Sequence, residues 1–222
     1  MRLPKPPRLS SWDQDPAWAT FYDWTVEHAH VGGALWKLGL GSDLGELYRA
    51  TAEIGDQPAG AAVLDIPCGG GVALRGLRPG QGVRYVAADI SPAMLERTSR
   101  VADARGVSDQ VELALADVHD LQFADDEFDL VVSFTGLHCF PRPRDAVLEL
   151  ARVTREGGTL LGSTLLRTRS LRAIPIMAVG RRLDLLGPGV TPAELPHWLD
   201  EAGFRNLDIT RSGPMAYFRA TT

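Results

Sequence analysis

The sequence has 222 residues, the usual length of one α/β domain, and a chain this long can bury a core without disulfides or metals. Apolar residues make up 45% and charged residues 23%, a composition that excludes wholly disordered proteins. The formal net charge of −5 disfavours a generic nucleic-acid binder, because such proteins carry a basic excess. There is no apolar run long enough to cross a bilayer, so we expect no membrane span.

The cysteines and the N-terminal residues bear on metal binding and compartment. Cys68 and Cys139 do not form a CxxC pair, so we expect neither a metal site nor a disulfide scaffold. Residues 1–11 contain three prolines and no apolar signal segment. We therefore expect a flexible arm at this end and a cytoplasmic protein.

Residues 1–60 are predicted to form this arm and a helical cap. Asp15 and Pro16 are suited to begin a helix, and Asp43 with Glu46 has the spacing of a capping box for a later one. Four of the five tryptophans lie before Asp43. They either line a ligand pocket or pack a helical cap onto the remaining domain.

Residues 61–222 are predicted to form the main domain, in which short apolar runs alternate with helical patterns. This alternation indicates a parallel sheet covered by helices on both faces. Ser212-Gly213-Pro214 is typical of the turn of an antiparallel hairpin. The predicted strands are Ala61–Ile66, Val83–Asp89, Val111–Ala116, Phe128–Phe134, Thr159–Leu165, Phe204–Arg211 and Met215–Ala220, and the predicted helices include Val72–Leu77, Pro92–Arg105 and Pro143–Thr154.

The most specific motif is the glycine run of Val63-Leu64-Asp65-Ile66-Pro67-Cys68-Gly69-Gly70-Gly71, where the first strand should lead into a helix. Glycines let a ligand approach the backbone, and helix N–H groups favour an anionic group. Asp89 ends the second predicted strand, where an exposed carboxylate can accept hydrogen bonds from a ribose diol. Asp117 follows the third strand and can accept from an adenine amino group. The alternative for the glycine run is a tight turn with a helix-capping Asp, which we weigh less heavily, whereas Asp117 taken alone is better explained as a solvated acid.

In this order and spacing, the motifs resemble the class I S-adenosylmethionine-dependent methyltransferases, over about Ala61 to Phe218. The chain is similar to the small-molecule branch related to quinone C-methylases and natural-product methyltransferases. The resemblance implies an α/β, Rossmann-like, doubly wound sheet of seven strands with a terminal antiparallel hairpin. The chain departs from the family at Pro67, where the loop usually has a glycine, and proline has no N–H to donate. The matching segments are VLDIPCGGG, YVAADISPAML, LALADVHDL, FDLVVSFTGLHCF and ELARVTREGGTLLGST.

The resemblance implies a site for S-adenosyl-L-methionine, with S-adenosyl-L-homocysteine as the product. Gly69 and Gly71 would let the backbone approach the methionine part, and Asp65 would support the loop and reach the amino group. Tyr22 lies in an N-terminal helix that closes over the cofactor in relatives, with simple core packing as an equal alternative. The remaining implied contacts are Asp89 with the ribose hydroxyls, Ile90 on the adenine, Asp117 and Val118 at the adenine edge, and Ser133 and Phe134 beside the methionine part.

His138 is the candidate general base. It lies just past the fourth strand, beside the implied methyl position, and histidine titrates near neutral pH. The alternative, which we weigh more heavily, is that His138 packs and hydrogen-bonds locally. We expect the other histidines to be surface residues or internally satisfied, and Cys139 to be no nucleophile, since adjacency to His138 does not give a facing geometry.

Residues 166–190 are predicted to form a lid-like insertion. Arginines and apolar residues are interspersed there, and no acidic residue occurs from Leu165 to Leu183. The pattern fits a mobile lid, a membrane-contacting helix, a dimer face or an ordinary amphipathic helix. We favour an amphipathic helix that serves as a lid. Oligomeric state stays open, a homodimer included.

The function expected from these features is methyl transfer to O, N or C of a small organic acceptor. Nucleic acid is disfavoured as the acceptor by the acidic charge and by the absence of an amino-methylase motif after the fourth strand. One alternative is a non-catalytic binding protein, since Pro67 would weaken cofactor binding. The other is a nucleotide-dependent oxidoreductase, which needs a third glycine where this chain has Leu74.

Overall fold

The computed structural model describes residues 24–26, 28–168, 173–182 and 185–222. Its centre is a seven-stranded sheet in the order β3-β2-β1-β4-β5-β7-β6. Neighbouring strands from β3 to β5 are parallel, whereas β7 is antiparallel to both β5 and β6. The strands are β1 Ala62–Asp65, β2 Arg84–Asp89, β3 Val111–Leu115, β4 Phe128–Phe134, β5 Thr154–Leu165, β6 Arg205–Ser212 and β7 Met215–Thr221.

Helices cover the sheet on both faces, which confirms the predicted α/β, Rossmann-like, doubly wound architecture with its antiparallel hairpin. The α-helices in the described ranges are α1 Ala29–Gly39, α2 Leu44–Ala52, α3 Pro92–Arg105, α4 Pro143–Val153, α5 Ala173–Arg182 and α6 Glu194–Glu201. Short 3₁₀ helices span Glu53–Asp56, Val72–Gly76 and Ser108–Gln110.

Side chains point to alternate faces along each strand, and this divides the core into two layers. In β1, Val63 packs with the buried residues of α1 and α2, such as Trp36 and Leu47. The next residue, Leu64, faces the other layer, where α4 contributes Leu150. Successive strand side chains point to opposite faces, so a continuously apolar strand is one that is buried on both. The helices that precede the sheet in the chain therefore share its core.

Local capping groups explain where α3 begins and ends. The Ser91 hydroxyl accepts a hydrogen bond from the backbone N–H of Met94 at 3.3 Å, and Pro92 occupies the first helical position. Gly106 ends the helix in the left-handed conformation, with φ of 67°. Because these signals are local, the predicted bounds Pro92–Arg105 match the structure.

Two predicted elements differ from the structure in type or by more than a residue or two at their ends. Strand β5 begins at Thr154 rather than Thr159, because Thr154 pairs with Phe128 before the register shifts. The helix predicted at Val72–Leu77 is a single 3₁₀ segment, Val72–Gly76. A Cβ at Gly76 would lie 1.8 Å from the carbonyl oxygen of Thr51, so α2 approaches this segment closely.

Two further observations concern the chain outside the sheet. In the part that the structure describes, every helix is too short or too polar to traverse a bilayer. The insertion predicted at 166–190 includes α5 within its described residues, and the proposed division into cap, main domain and lid stays a prediction.

Candidate functional site

The glycine loop lies at the carboxyl edge of the sheet, between the ends of β1 and β2. Gly69 and Gly71 have φ values of 53° and 84°, in the left-handed region that favours glycine. A Cβ at Gly71 would come within 3.3 Å of the Thr98 Cα, whereas one at Gly69 would meet no atom of the described residues within 4 Å. Gly71 is thus required for packing against α3, and Gly69 leaves open space beside the loop.

Hydrogen bonds hold this loop to its neighbours. The Cys68 N–H donates to the carbonyl of Ala88 at 2.9 Å, and the Thr98 hydroxyl donates to the carbonyl of Gly69 at 2.8 Å. Sequence reasoning missed Thr98. The available signal was a polar residue in the buried stripe of α3, between Met94 and Ala102 at helical spacing.

Asp89 is buried, with 5% of its surface exposed, which corrects the expectation of an exposed strand-end acid. One carboxylate oxygen accepts from the Gly69 N–H and the other from the Ser91 N–H, each at 2.9 Å. Burial follows because the glycine loop and the start of α3 both close over the end of β2. A carboxylate offers about four acceptor sites, so these contacts are compatible with further hydrogen bonds from a ribose diol.

Asp65 lies deeper, and its carboxyl contacts a residue that the sequence did not single out. The Tyr85 hydroxyl donates to it at 2.9 Å. Burial raises the pKa of Asp65 to about 8, the Tyr85 hydrogen bond opposes this rise, and the nearby Asp89 carboxylate adds to it. With this pKa, Asp65 is largely protonated at neutral pH, and Asp89 carries the negative charge that makes this end of the loop favourable for a cation, such as an ammonium group.

Asp117 and Val118 follow β3, as predicted, but Asp117 already has a partner. It accepts from the backbone N–H of His119 at 2.9 Å and contacts the imidazole Nδ1 of that residue at 2.7 Å. Partial burial works to raise the pKa of Asp117, but these contacts with His119 lower it below its usual value. Val118 is buried and Ile90 is partly exposed.

His119 was expected to be a surface residue or internally satisfied, but its side chain is buried and, in the part of the chain that the structure describes, only the Nδ1 of its ring has a hydrogen-bond partner. Its side chain is 5% exposed and meets Phe140 edge-on, with ring centroids 6.0 Å apart. Its Nε2 is buried and has no hydrogen-bond partner among the described residues. Sequence position after an acidic turn gave no sign of this burial, which arises from the loop that follows β4.

The turn after β4 brings Ser133, Pro67 and Gly136 together. Ser133 is fully buried near the end of β4, and in the described chain its hydroxyl has no hydrogen-bond partner. A Cβ at Gly136 would lie 2.4 Å from Cδ of Pro67, 2.9 Å from the Phe140 ring and 2.9 Å from the Ser133 hydroxyl. The proline that departs from the family pattern thus fits a turn that has no side chain at residue 136.

His138 lies between the ends of β4 and β5. The backbone N–H of Leu165 donates to its Nδ1 at 3.0 Å, and the Thr164 hydroxyl lies 3.4 Å from the same nitrogen. Burial lowers the pKa of His138 to about 4. The neighbouring Cys139 thiol has its pKa raised to about 12 by burial and the Asp89 charge, so it is not activated as a nucleophile.

These groups fit the cofactor that the glycine loop suggests. Left-handed glycines, with open space beside Gly69 among the described residues, let a ligand approach the loop backbone, and the carboxylate at the end of β2 suits a diol. The Asp89 carboxylate also suits the positive charge of this cofactor. Tyr22 lies outside the described residues. The cofactor contacts of Asp65, Gly69, Gly71, Asp89, Ile90, Asp117, Val118 and Ser133 remain predictions.

Comparisons with known proteins identify the family. Residues 64–162 match a family described as "Methyltransferase domain". The chain is 31% identical over 162 residues to a ubiquinone biosynthesis O-methyltransferase of Xanthomonas axonopodis pv. citri, covering 69% of this chain and 66% of the relative. It is 35% identical over 159 residues to a demethylmenaquinone methyltransferase of Clavibacter sepedonicus, covering 70% and 59%.

The solved structures agree at the level of fold. A putative methyltransferase from Bacillus halodurans superposes with a TM-score of 0.63 at 20% identity, covering 80% of this chain and 95% of that one. The chain spans about half the length of several curated relatives that it matches at 36% identity. Membership in one family accounts for these matches. It also accounts for the glycine loop, for the acid at the end of β2 and for the order of the strands. The chain belongs to the class I S-adenosylmethionine-dependent methyltransferases and is related to the quinone methylases.

Proposed function

We propose that this protein transfers a methyl group from S-adenosyl-L-methionine to O, N or C of a small organic acceptor. The observation that carries the proposal is the glycine loop, which is open beside Gly69 and held by the Asp89 carboxylate. The printed names of two relatives, a ubiquinone biosynthesis O-methyltransferase and a demethylmenaquinone methyltransferase, favour a quinone-related acceptor. The net charge of −5 favours a small molecule over nucleic acid.

The proposed cofactor contacts follow the carboxyl edge of the sheet. The backbone at Gly69 and Gly71 approaches the methionine part, Asp89 provides the negative charge that favours its ammonium group, and Asp65 supports the loop and reaches that group. Asp89 also accepts from the ribose hydroxyls. The other proposed contacts are Ile90 on the adenine face, Asp117 and Val118 at the adenine edge, Ser133 beside the methionine part, and Tyr22 closing over it.

Methyl transfer places modest demands on the protein. The bound cofactor supplies a methyl group on a positively charged sulfur, which is electrophilic without further activation. The chain must align the acceptor atom with that methyl group and exclude water, and alignment alone can be worth roughly 7–11 kcal/mol. The loop supports alignment because hydrogen bonds from Cys68 and Thr98 hold it against β2 and α3.

Calorimetric titration with S-adenosylhomocysteine, with NAD as the control ligand, tests this proposal. We expect micromolar binding of the first and none of the second. Binding of NAD alone would indicate the oxidoreductase alternative. Binding of neither would indicate a non-catalytic relative, and reversion of Pro67→Gly would then show whether this residue is the cause.

A further inference from the structure

The orientation of the His138 ring determines which nitrogen carries its proton. Nδ1 accepts a hydrogen bond from the backbone N–H of Leu165 at 3.0 Å, so this nitrogen cannot itself be protonated in that geometry. A neutral imidazole has one donor and one acceptor nitrogen. The proton of His138 must therefore lie on Nε2. A general base needs a vacant lone pair, and here the lone pair of the neutral ring is already used.

Two contacts hold this orientation. The Leu165 N–H belongs to the end of β5, where its direction is set by the pairing of Leu165 with Met215. The carbonyl of His138 accepts from the N–H of Gly187 at 2.9 Å. A Cβ at Gly187 would lie 2.2 Å from the carbonyl oxygen of Phe140, so the segment after α5 is closely packed on this turn. The sheet thus holds the ring through Nδ1, and the insertion holds the backbone of the turn that carries it.

The opposite edge of the ring is available to a ligand. His138 is partly exposed, and within the described ranges no protein group hydrogen-bonds to its Nε2. The residue lies at the carboxyl ends of β4 and β5, the edge of an open α/β sheet at which ligands bind. Burial lowers the pKa of His138 to about 4, so the ring is neutral at physiological pH.

We propose that His138 binds the methyl acceptor as a neutral hydrogen-bond donor through Nε2–H, and that the acceptor presents a carbonyl or ionised oxygen to it. This inference rests on the proposed function. Under this proposal His138 is a hydrogen-bond donor and not a general base. The proposed methyl acceptors are then acidic hydroxyls conjugated with a carbonyl, and related enolates. Such acceptors are already ionised at neutral pH, so the enzyme has no need to remove their proton.

The protonation state can be measured on the free protein, independently of any cofactor. Two-bond proton–nitrogen correlation spectra of the full chain, labelled with ¹⁵N-histidine, would be recorded from pH 5.5 to 8.5, with His138→Gln used for assignment. We expect a protonated Nε2, an unprotonated Nδ1 and no titration across this range. A proton on Nδ1, or titration near the ordinary pKa of histidine, would overturn the proposal.

The acceptor class is tested with two bicyclic probes of similar size. In the presence of S-adenosylhomocysteine at pH 7.5, the wild-type protein should bind 2-hydroxy-1,4-naphthoquinone, which is ionised, at least tenfold more tightly than 2-naphthol, which is not. A hydrogen bond to a charged group accounts for a preference of this size. An equal affinity for both probes would count against the acceptor class.

Variants separate donation from other roles of the ring. His138→Gln retains a donor but cannot act as a base, so we expect its affinity for the ionised probe to stay within about threefold of wild type. In His138→Phe, the affinity for the ionised probe should fall at least tenfold and the affinity for 2-naphthol should not change. His197→Phe, at an exposed position in α6, should change neither affinity. Equal losses in the Gln and Phe variants would refute donation. Affinity for S-adenosylhomocysteine, measured on each variant, reports separately on folding and on the proposed function.

Discussion

At the scale of single residues, the site depends on carboxyl groups whose surroundings differ sharply. Asp89 uses both oxygens on backbone N–H groups of the loop and of α3, whereas Asp65 is enclosed with Tyr85. The first arrangement stabilises a charged carboxylate, and the second disfavours one. Residues of the same type therefore have different roles, which sequence alone does not distinguish.

Replacing Asp89→Asn should weaken cofactor binding and also loosen the loop. The amide can accept from only one of the two N–H groups that the carboxylate now holds. We expect at least a tenfold loss of affinity for S-adenosylhomocysteine and a destabilisation of about 1–3 kcal/mol. Calorimetry and denaturant unfolding measure the two effects, with Asp208→Asn at an exposed position of β6 as the control. Unchanged affinity in the folded variant would exclude the ribose contact.

Asp65 should make stability fall as pH rises. Its pKa is about 8 in the folded protein and near 3.8 when unfolded, so the unfolded chain binds fewer protons between these values. The free energy of unfolding therefore decreases from about pH 4 to pH 8, at up to roughly 1.4 kcal/mol per pH unit. Asp65→Asn should flatten this dependence and stabilise the protein at pH 7.5. An unaltered pH profile in urea unfolding would show that Asp65 is ionised in the folded state.

At the scale of elements, the loops that follow neighbouring strands pack closely against one another. The turn after β4 packs on the loop after β1 through Gly136 and Pro67, and the segment near Gly187 packs on the same turn. Each contact occurs at the carboxyl edge of the sheet. The turns of the site are thus packed on one another, so that one added methyl group would contact more than one loop.

Gly136→Ala should be destabilising by about 1–3 kcal/mol, because the new methyl group would overlap Pro67, Phe140 and Ser133. Pro67→Gly in the same chain should restore part of the loss by removing the nearest of these contacts. Gly33→Ala in α1 is the control, since that methyl group would meet no atom of the described residues within 4 Å and should stabilise the helix slightly. Chemical denaturation measures all of these variants. If the losses in the free energy of unfolding from Gly136→Ala and Pro67→Gly simply added in the double variant, the proposed close packing of Gly136 on Pro67 would be disproved.

At the scale of the whole molecule, two layers of helices share one sheet. Leu47 of α2 and Leu150 of α4 are both fully buried, on opposite faces. The preceding helices therefore contribute to the main core, whatever motion the cap undergoes when ligands bind. A chain with this arrangement should unfold as one cooperative unit.

Leu47→Ala and Leu150→Ala should each lower the free energy of unfolding by about 2–5 kcal/mol without separating the transition into two. Leu38→Ala, at a side chain that is 77% exposed, should have little effect. Tryptophan fluorescence and circular dichroism should report coincident curves. If Leu47→Ala shifted only the fluorescence change, residues 24–56 would form an independent unit.

The sequence was sufficient wherever the determining signals are local. Short apolar runs located the parallel strands to within a few residues, apart from the start of β5, and the Ser212-Gly213-Pro214 turn located the terminal hairpin. The residues around Ser91 and Gly106 located both ends of α3. Features that depend on sheet register were not predictable. The contact of Tyr85 with Asp65 and the burial of Asp89 arise from elements distant in the chain, and no spacing within a single motif reports them.

The strand order has a consequence for how the molecule is made. Strand β6 precedes β7 in the chain, yet its sheet neighbour is β7, which separates it from β5. During synthesis, the edges of β5 and β6 that later pair with β7 therefore stay unpaired until β7 has been made. Unpaired strand edges of this kind are sites at which an incomplete chain can pair with another chain and aggregate.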